Sequence, residues 1–580
     1  MPPEDLPRKR WALPSLNKTR FVLRSMSRRE RAITSVLVLA AAVGLFGTVY
    51  KVNQRFSVVV PDEGGRITEG VIGSPHFVNP ILAIADADRD IVNLIYAGLM
   101  KPDGKGGLVP ELAERYEISE DGLSYTFFLR DAKFHDGEKL TADDIIFTIE
   151  SAKSPVIKSP MRAGWEGVEM EKIDEKTIRF WLKRPYAPFL ENTTIGILPR
   201  HLWKDVPQEQ ISLSELNLNP VGAGPYKIAN TNTSKGGTIT SYSLRSFPNY
   251  VMGEPFIRKI TLMFYPSEVE LLNAYESGDV DSASAISPQN IAKIRRQDGE
   301  IKSLNLPRVF GVFFNQNEKT IFLEKPVRQA LDMAVDKDQI VREVLGGYAR
   351  TISSPIPLGS FGAIETASST YNLDQAKALL EKNGWTFNAD KGVYEKVEKG
   401  TVTGELSFSI STSNAPDLVR AADIIKSNWE KLGAKVEVKV FEISDLNQNV
   451  IRTRKYDALL FGEVVGREPD PFAFWHSSQR NDPGLNIALY TSATVDKLLE
   501  EARGLTSRAE REEKYHKFQE QVAADTPSVF LYSPAFVYIV PENLKGFDTE
   551  NIATPAERFT DIFKWYFDTK YVWKIFQKDN

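Results

Sequence analysis

Residues Tyr96 to Phe147 read YAGLMKPDGKGGLVPELAERYEISEDGLSYTFFLRDAKFHDGEKLTADDIIF. Within this stretch, Tyr125 to Arg130 (YTFFLR) is a short aromatic and apolar run. It lies between the turn signals Asp121-Gly122 and His135-Asp136-Gly137, the pattern of a strand between turns. Thr141 then stands where a helix cap belongs. Asp144 follows three residues on, and Ile145, Ile146 and Ile149 supply an apolar face. A strand, a turn and a capped helix in such close succession point to a mixed α/β fold.

Working outward, the cap recurs at Ser267 with Glu270, before Leu271, Leu272 and Tyr275. The C-terminal half holds the clearest strand–helix–strand unit. Leu406 to Ile410 reads as a strand, and Leu418, Ala421, Ile425, Trp429 and Leu432 recur at helical spacing. Gly433 ends that helix, and Val436, Val438 and Val440 alternate as the next strand. Strands alternating with helices imply sheets covered on their faces by helices. Residues 230–239, rich in Thr, Ser, Asn and Gly, read as an exposed loop. A chain of 580 residues has room for about three or four compact lobes at roughly 150 residues each.

Composition excludes several classes. With 42% apolar and 26% charged residues, the chain is neither disordered nor fibrous. Residues 1–31 carry nine Lys/Arg against three Asp/Glu, so a net charge of −5 leaves the body acidic. An acidic body without a basic stripe argues against a nucleic-acid partner. There is no cysteine, which excludes disulfides, thiol nucleophiles, thiolate metal sites and a lipid-modified cysteine.

Ala32 to Tyr50 (AITSVLVLAAAVGLFGTVY) runs 19 residues without a charge, about the length that crosses a hydrocarbon core. Arg20, Arg24, Arg28, Arg29 and Arg31 precede it, and only Lys51 and Arg55 follow closely. The positive-inside bias places a basic leader (residues 1–31) in the cytoplasm and the body outside. The expected layout is a single-pass anchor at 32–50 followed by a linker at 51–65, with the main body extracytoplasmic. The competing reading is a cleaved signal peptide using the small residues near Ala40–Ala42.

Catalytic signatures are missing: there is no G-x-S-x-G elbow, H-E-x-x-H or phosphate-binding loop. The five histidines, His76, His135, His201, His476 and His516, do not pair within a helical turn. The sequence nominates no catalytic residue, no metal ligand and no cofactor.

The 96–147 segment resembles the family 5 extracellular solute-binding proteins, which include oligopeptide, dipeptide and nickel receptors. The shared elements come in order. They are Tyr96-x-Gly98-Leu99, Pro110-x-Leu112-Ala113, the Asp121-Gly122 turn, Phe127-x-Leu129-Arg130, Phe134-His135-Asp136-Gly137 and Ala142-x-Asp144. Asn219 to Tyr226 (NPVGAGPY), Phe314-Asn315, Pro326 to Leu331, Tyr371 to Trp385 and Tyr456-Asp457 to Asp470-Pro471 extend the likeness over about residues 66–567.

The resemblance implies a type II periplasmic-binding-protein-like α/β fold with two main lobes, a hinge and an extra lobe. Lobe I would comprise 66–94, 218–310 and 525–580, lobe II 95–217 and lobe III 311–524. It implies a monomeric receptor that binds peptides between its lobes and delivers them to the membrane permease of an ABC importer, without turnover. A non-peptide ligand (an oligosaccharide, a metal chelate or a signalling molecule) is the alternative, and a surface peptidase is a third reading.

Candidate ligand contacts implied by position are Ala85, Asp86, Glu463, Arg467, Asp470, Trp475 and Tyr532. Each has a structural alternative: an exposed turn for Ala85-Asp86, core for Trp475, a turn for Asp470-Pro471. One departure stands out. Many peptide receptors place an aspartate three residues before this Asp-Pro to pair with the ligand's ammonium group; here Arg467 stands there. Arginine suits a carboxylate or phosphate instead. A one-residue shift of alignment would put Gly466 at that place, and Glu463 is the substitute acid if its side chain faces inward.

Overall fold

The computed structural model describes residues 25–364 and 370–573. The leader's Arg20 and Arg24 lie outside them. The segment that opened the sequence reading folds as expected. Ser124–Leu129 is a strand, and Ala142–Lys153 is a helix whose Asp144 carboxylate accepts from the Thr141 amide at 2.9 Å. The helix Glu268–Ser277 starts at Ser267, whose hydroxyl accepts from the Glu270 amide. In the C-terminal half, strand Ser407–Ser413 leads through helix Pro416–Leu432 to the parallel strand Lys435–Phe441. Gly433 closes that helix in the left-handed conformation.

Two regions differ from expectation. Residues 230–239 are half strand: the exposed loop is confined to 234–238, and it joins Tyr226–Thr233 to its antiparallel partner Ile239–Ser246. The pairing partner, which composition does not register, makes this edge a ladder. The expected linker at 51–65 begins with the last turns of a helix, Arg28–Phe56, and continues as the strand Ser57–Pro61.

The chain divides into two units, Met1–Asp62 with Asp568–Asn580, and Glu63–Phe567. In the first, the helix is long and apolar enough to cross a membrane, and none of its most apolar stretch is buried against protein. Ser57–Pro61 pairs antiparallel with the C-terminal strand Thr569–Trp573.

The second unit is built on a 12-stranded mixed sheet and a separate four-stranded antiparallel sheet formed by 113–118, 124–129, 177–181 and 169–174. A 14-residue strand, Ser528–Pro541, joins the two halves of the large sheet. Its first part pairs with Arg308–Phe314, and its second part with Gly299–Asn305 and Ser282–Ser284. It contributes to four apolar cores: Val529 and Leu531 to one, Phe530 to another, Phe536 and Tyr538 to the largest, and Val537 and Ile539 to the fourth. At Ser533–Ala535, between these parts, burial drops to intermediate.

Gly222 and Gly224 are required for closeness. A Cβ at Gly222 would lie 2.1 Å from the Ile95 carbonyl oxygen, and one at Gly224 would lie 2.6 Å from the Ile95 carbonyl carbon. His135, from the same shared motif, spans the turn. Its Nε2 is 3.1 Å from the Gly224 carbonyl oxygen, and its Nδ1 is 3.4 Å from the Gly222 amide. A neutral imidazole, donating at Nε2 and accepting at Nδ1, satisfies both. Burial lowers its pKa to about 4, which fits.

Arg558 is sealed in the largest core with Glu69 and Asp90, at 3.0 and 2.6 Å, and all three side chains are at most 2% exposed. Ser282 and Tyr538 donate to the same Glu69 carboxylate. Burial pushes both carboxyls above their ordinary pKa although Arg558 opposes it. Breaking such a group from one side costs about 3–5 kcal/mol, because charge is left buried and unpaired. Arg558→Met keeps the side chain's bulk and removes its charge. Urea denaturation is expected to show a loss of about that size at pH 8 and a smaller one at pH 5, where the two acids take up protons in the folded state. An equal loss at both pH values would mean that the acids stay ionised without Arg558.

Candidate functional site

The antiparallel strands Arg308–Phe314 and Ala458–Val464 set Val309 opposite Glu463. After Val464 the chain turns through Gly466, whose φ of +87° suits glycine, and presents Arg467. The Arg467 guanidinium is buried and bonds two acids. Nη1 donates to Glu191 at 2.8 Å, and Nη2 donates to Glu557. Glu191 comes from the short helix Phe189–Asn192 and Glu557 from the 3-10 turn Pro555–Phe559. Three segments far apart in sequence therefore meet at one guanidinium.

Their mounting explains the convergence. Arg558, next to Glu557, is fixed by Asp90 of the helix Asp86–Ile95, which orients the turn. The Glu557 carboxylate also accepts from the Ala553 amide at 2.8 Å. On the Arg467 side, the Phe361 amide donates to the Arg467 carbonyl at 3.0 Å, and the Ser360 hydroxyl to the Gly466 carbonyl at 3.1 Å.

Arg467 lines a narrow crevice with Asn305, Gly106, Gly359 and Asn551. Backbones approach closely there: a Cβ on Gly106 would lie 2.7 Å from the Gly359 carbonyl oxygen. Two larger spaces flank it. One, of about 250 Å³, is lined by Asn305, Arg350, Leu358 and Ser533. The other, of about 230 Å³, is lined by Arg89, Asn93, Lys101, Glu111, Tyr250 and Glu557. Asn305 is shared by the crevice and the first space, and Glu557 joins the Arg467 cluster to the second.

The remaining residues singled out from sequence fall into three groups. Ala85 and Asp86 are exposed at the start of the helix Asp86–Ile95, with Asp86 3.9 Å from Arg89. Asp86 also acts on Arg308: burial lowers the Arg308 pKa, and Asp86 opposes that shift. Glu463 is buried, and its Oε2 has no hydrogen-bond partner. Desolvation alone raises its pKa well above the carboxylate range.

Asp470, Trp475 and Tyr532 are held by protein groups. Asp470 accepts from Arg503 at 2.9 Å, and the guanidinium lies 4.1 Å from the Phe472 ring. The turn between Arg467 and Asp470 is pinned further by Arg508 and Arg511 on Glu468, and by the Tyr515 hydroxyl on the Pro469 carbonyl. Trp475 is 2% exposed and packs among Phe313, Tyr490, Phe518 and Phe530. Tyr532 stacks on Phe310 at 5.0 Å and is buried. Glu191, Glu557 and Arg350 were not singled out from sequence. Glu191 lies 276 residues from its arginine, and no local pattern marks such a pair.

Residues 107–485 match the family described as bacterial extracellular solute-binding proteins, family 5 Middle. The chain is 30% identical over 518 residues to the oligopeptide-binding protein AppA of Bacillus subtilis (strain 168), covering 87% of this chain and 92% of that protein. The structure of Bacillus subtilis AppA in complex with a nonapeptide is similar at a TM-score of 0.64 and 27% identity, over 88% of this chain and 100% of that one. The structure of NikZ from Campylobacter jejuni in complex with Ni(L-His) is similar at a TM-score of 0.65 and 28% identity, over 86% and 99% respectively.

The acid pair around Arg467 carries a pH signature. Burial pushes the Glu191 carboxyl up to about 7 although Arg467 opposes it. The folded chain therefore holds a proton on Glu191 that the unfolded chain releases near the ordinary glutamate value of 4.5. Its contribution to stability is fully present below that lower value and is lost as pH rises through about 7. Relative to Glu191→Gln, the melting temperature of the native chain should fall by about 2 °C between pH 5 and pH 8, the scale for a change of order 1 kcal/mol in a large domain. A difference that does not vary with pH would mean that Glu191 is ionised throughout.

Proposed function

Because the chain belongs to the family 5 bacterial extracellular solute-binding proteins, we propose that it is the receptor of an ABC importer. In this reading it binds peptides reversibly, delivers them to a membrane permease and performs no turnover. Lobe I (66–94, 218–310, 525–580), lobe II (95–217) and lobe III (311–524) close on the ligand. The observation that carries the reading is the convergence of Glu191, Arg467 and Glu557, one from each lobe, beside two spaces of about 250 and 230 Å³. The run 299–314 crosses from lobe I to lobe III, and the strand Ser528–Pro541 of lobe I pairs with both parts of that run, which suits a hinge.

The ligand's ammonium group is not held at position 467, where a guanidinium already engages two acids. Glu463 is an acid without a partner on Oε2, but its strand neighbours Leu459 and Phe461 on the same face pack into an apolar core. We favour recognition of peptide backbone along exposed strand edges over capture of a free N-terminus. A second reading, a small non-peptide solute, is supported by the same replacement at 467 and by the likeness to NikZ solved with Ni(L-His).

The receptor is anchored by the helix Arg28–Phe56, with the leader cytoplasmic and the body outside. This rests on an apolar stretch whose side chains meet no protein, Leu39 being 66% and Phe46 75% exposed, and on the flanking arginines. A signal sequence passes the same length and apolarity test, so the mature N-terminus decides. Intact mass of the protein from its native membrane should retain residues 32–50, and a chain beginning near residue 43 would end the anchor reading.

Native mass spectrometry of the detergent-solubilised full chain, before and after acid release of bound small molecules, tests the cargo. A ladder of mixed short peptides is expected. A single non-peptide mass would transfer the assignment to the second reading. Conversion of added peptides to products would overturn the assignment as a non-enzymatic receptor.

A further inference from the structure

The strand Ser57–Pro61 begins where the long helix ends and pairs with Thr569–Trp573. Val59 faces Tyr571 and Ser57 faces Trp573 across the ladder. Because side chains alternate between faces, Val59, Tyr571 and Trp573 share one side. All three are exposed, at 56%, 77% and 43% respectively. The helix adds exposed Tyr50 and Phe56 close by; six residues of helix rise only about 9 Å. The Trp573 indole is tied back to the helix, since its Nε1 donates to Asn53 Oδ1 at 2.7 Å. The Ser57 hydroxyl meets the same oxygen at 3.1 Å.

A two-stranded ribbon is marginal in water by itself, and this one turns valine, tyrosine and tryptophan outward. Tyrosine and tryptophan concentrate where a bilayer meets water, because the ring prefers the acyl boundary and the polar tip the headgroups. The ribbon is covalently continuous with the segment read as membrane-spanning, and Lys51 and Arg55 bring positive charge that suits anionic headgroups.

We propose that the outward face of this ribbon, Val59, Tyr571 and Trp573, lies in the headgroup layer of the bilayer that the helix crosses. The C-terminal strand is then a second membrane contact, a lipid-surface site supplied from the far end of the chain. The proposal rests on the retained anchor.

The chain has no cysteine, so one introduced cysteine gives one labelled position. Full-length Leu39→Cys, Tyr571→Cys and Leu213→Cys would each carry an NBD label in vesicles of phosphatidylcholine and phosphatidylglycerol, with and without lipid brominated near the headgroup end of the acyl chain. Leu213, 82% exposed, is the reference in the acidic body. The label at 571 should be quenched at least threefold more than that at 213, and Val59→Cys on the same face should repeat the result should Tyr571 itself hold the ribbon together. Quenching at 39 with labels at 571 and 59 behaving like 213 would overturn the proposal and leave the anchor standing. A label at 39 that behaves like 213 would overturn both.

Discussion

Arg558 is the interaction on which the arrangement of the site depends. A guanidinium taken out of water is tolerable only when its donors are met. Here Glu69 from the first strand of the body and Asp90 from the following helix meet them from two directions. The turn that carries Arg558 is thereby fixed in place and direction. Glu557, one residue earlier, projects the other way and reaches Arg467. The cluster at the crevice is therefore set by a buried ion group that lies outside it. The costly, rigid electrostatics sit in the core, and the less deeply buried acids Glu191 and Glu557 stand at the crevice.

Much of the fold was legible from period and punctuation. The run Tyr125–Arg130, the Thr141 and Ser267 caps and the 406–441 strand–helix–strand unit rest on local rules, and the structure keeps each of them. The misreadings share one cause. Residues 230–239 have loop-like composition yet form a hairpin because a partner strand is present. Residues 57–61 read as linker because their partner lies at 569–573. Strand pairing across long sequence separation leaves no local trace.

The site was less legible for the same reason. Arg467 drew notice as a charge of unexpected sign, but the acids that hold it come from residues 191 and 557. Trp475 was open between pocket wall and core, and four surrounding rings place it in the core. Asp470 owes its place to Arg503, a partner that turn propensity does not name. Gly222 and Gly224 stand in the shared NPVGAGPY segment, and the need for them comes from the passing Ile95 backbone; a single sequence marks the glycine and not what comes near it.

The strand Ser528–Pro541 has a mechanical meaning. Its side chains are divided among four cores, while its main chain is uninterrupted. At Ser533–Ala535 burial is reduced, and Pro534 has no N–H to commit to a neighbour. These three residues belong to none of the four cores and are held instead by main-chain pairing with Ala349 and Arg350 and with Asn305, so the two halves of the strand meet through the backbone. One continuous main chain thus serves cores that share no side chain of this strand. Repacking one core alters the stiffness of its own half and leaves the linkage to the other half intact.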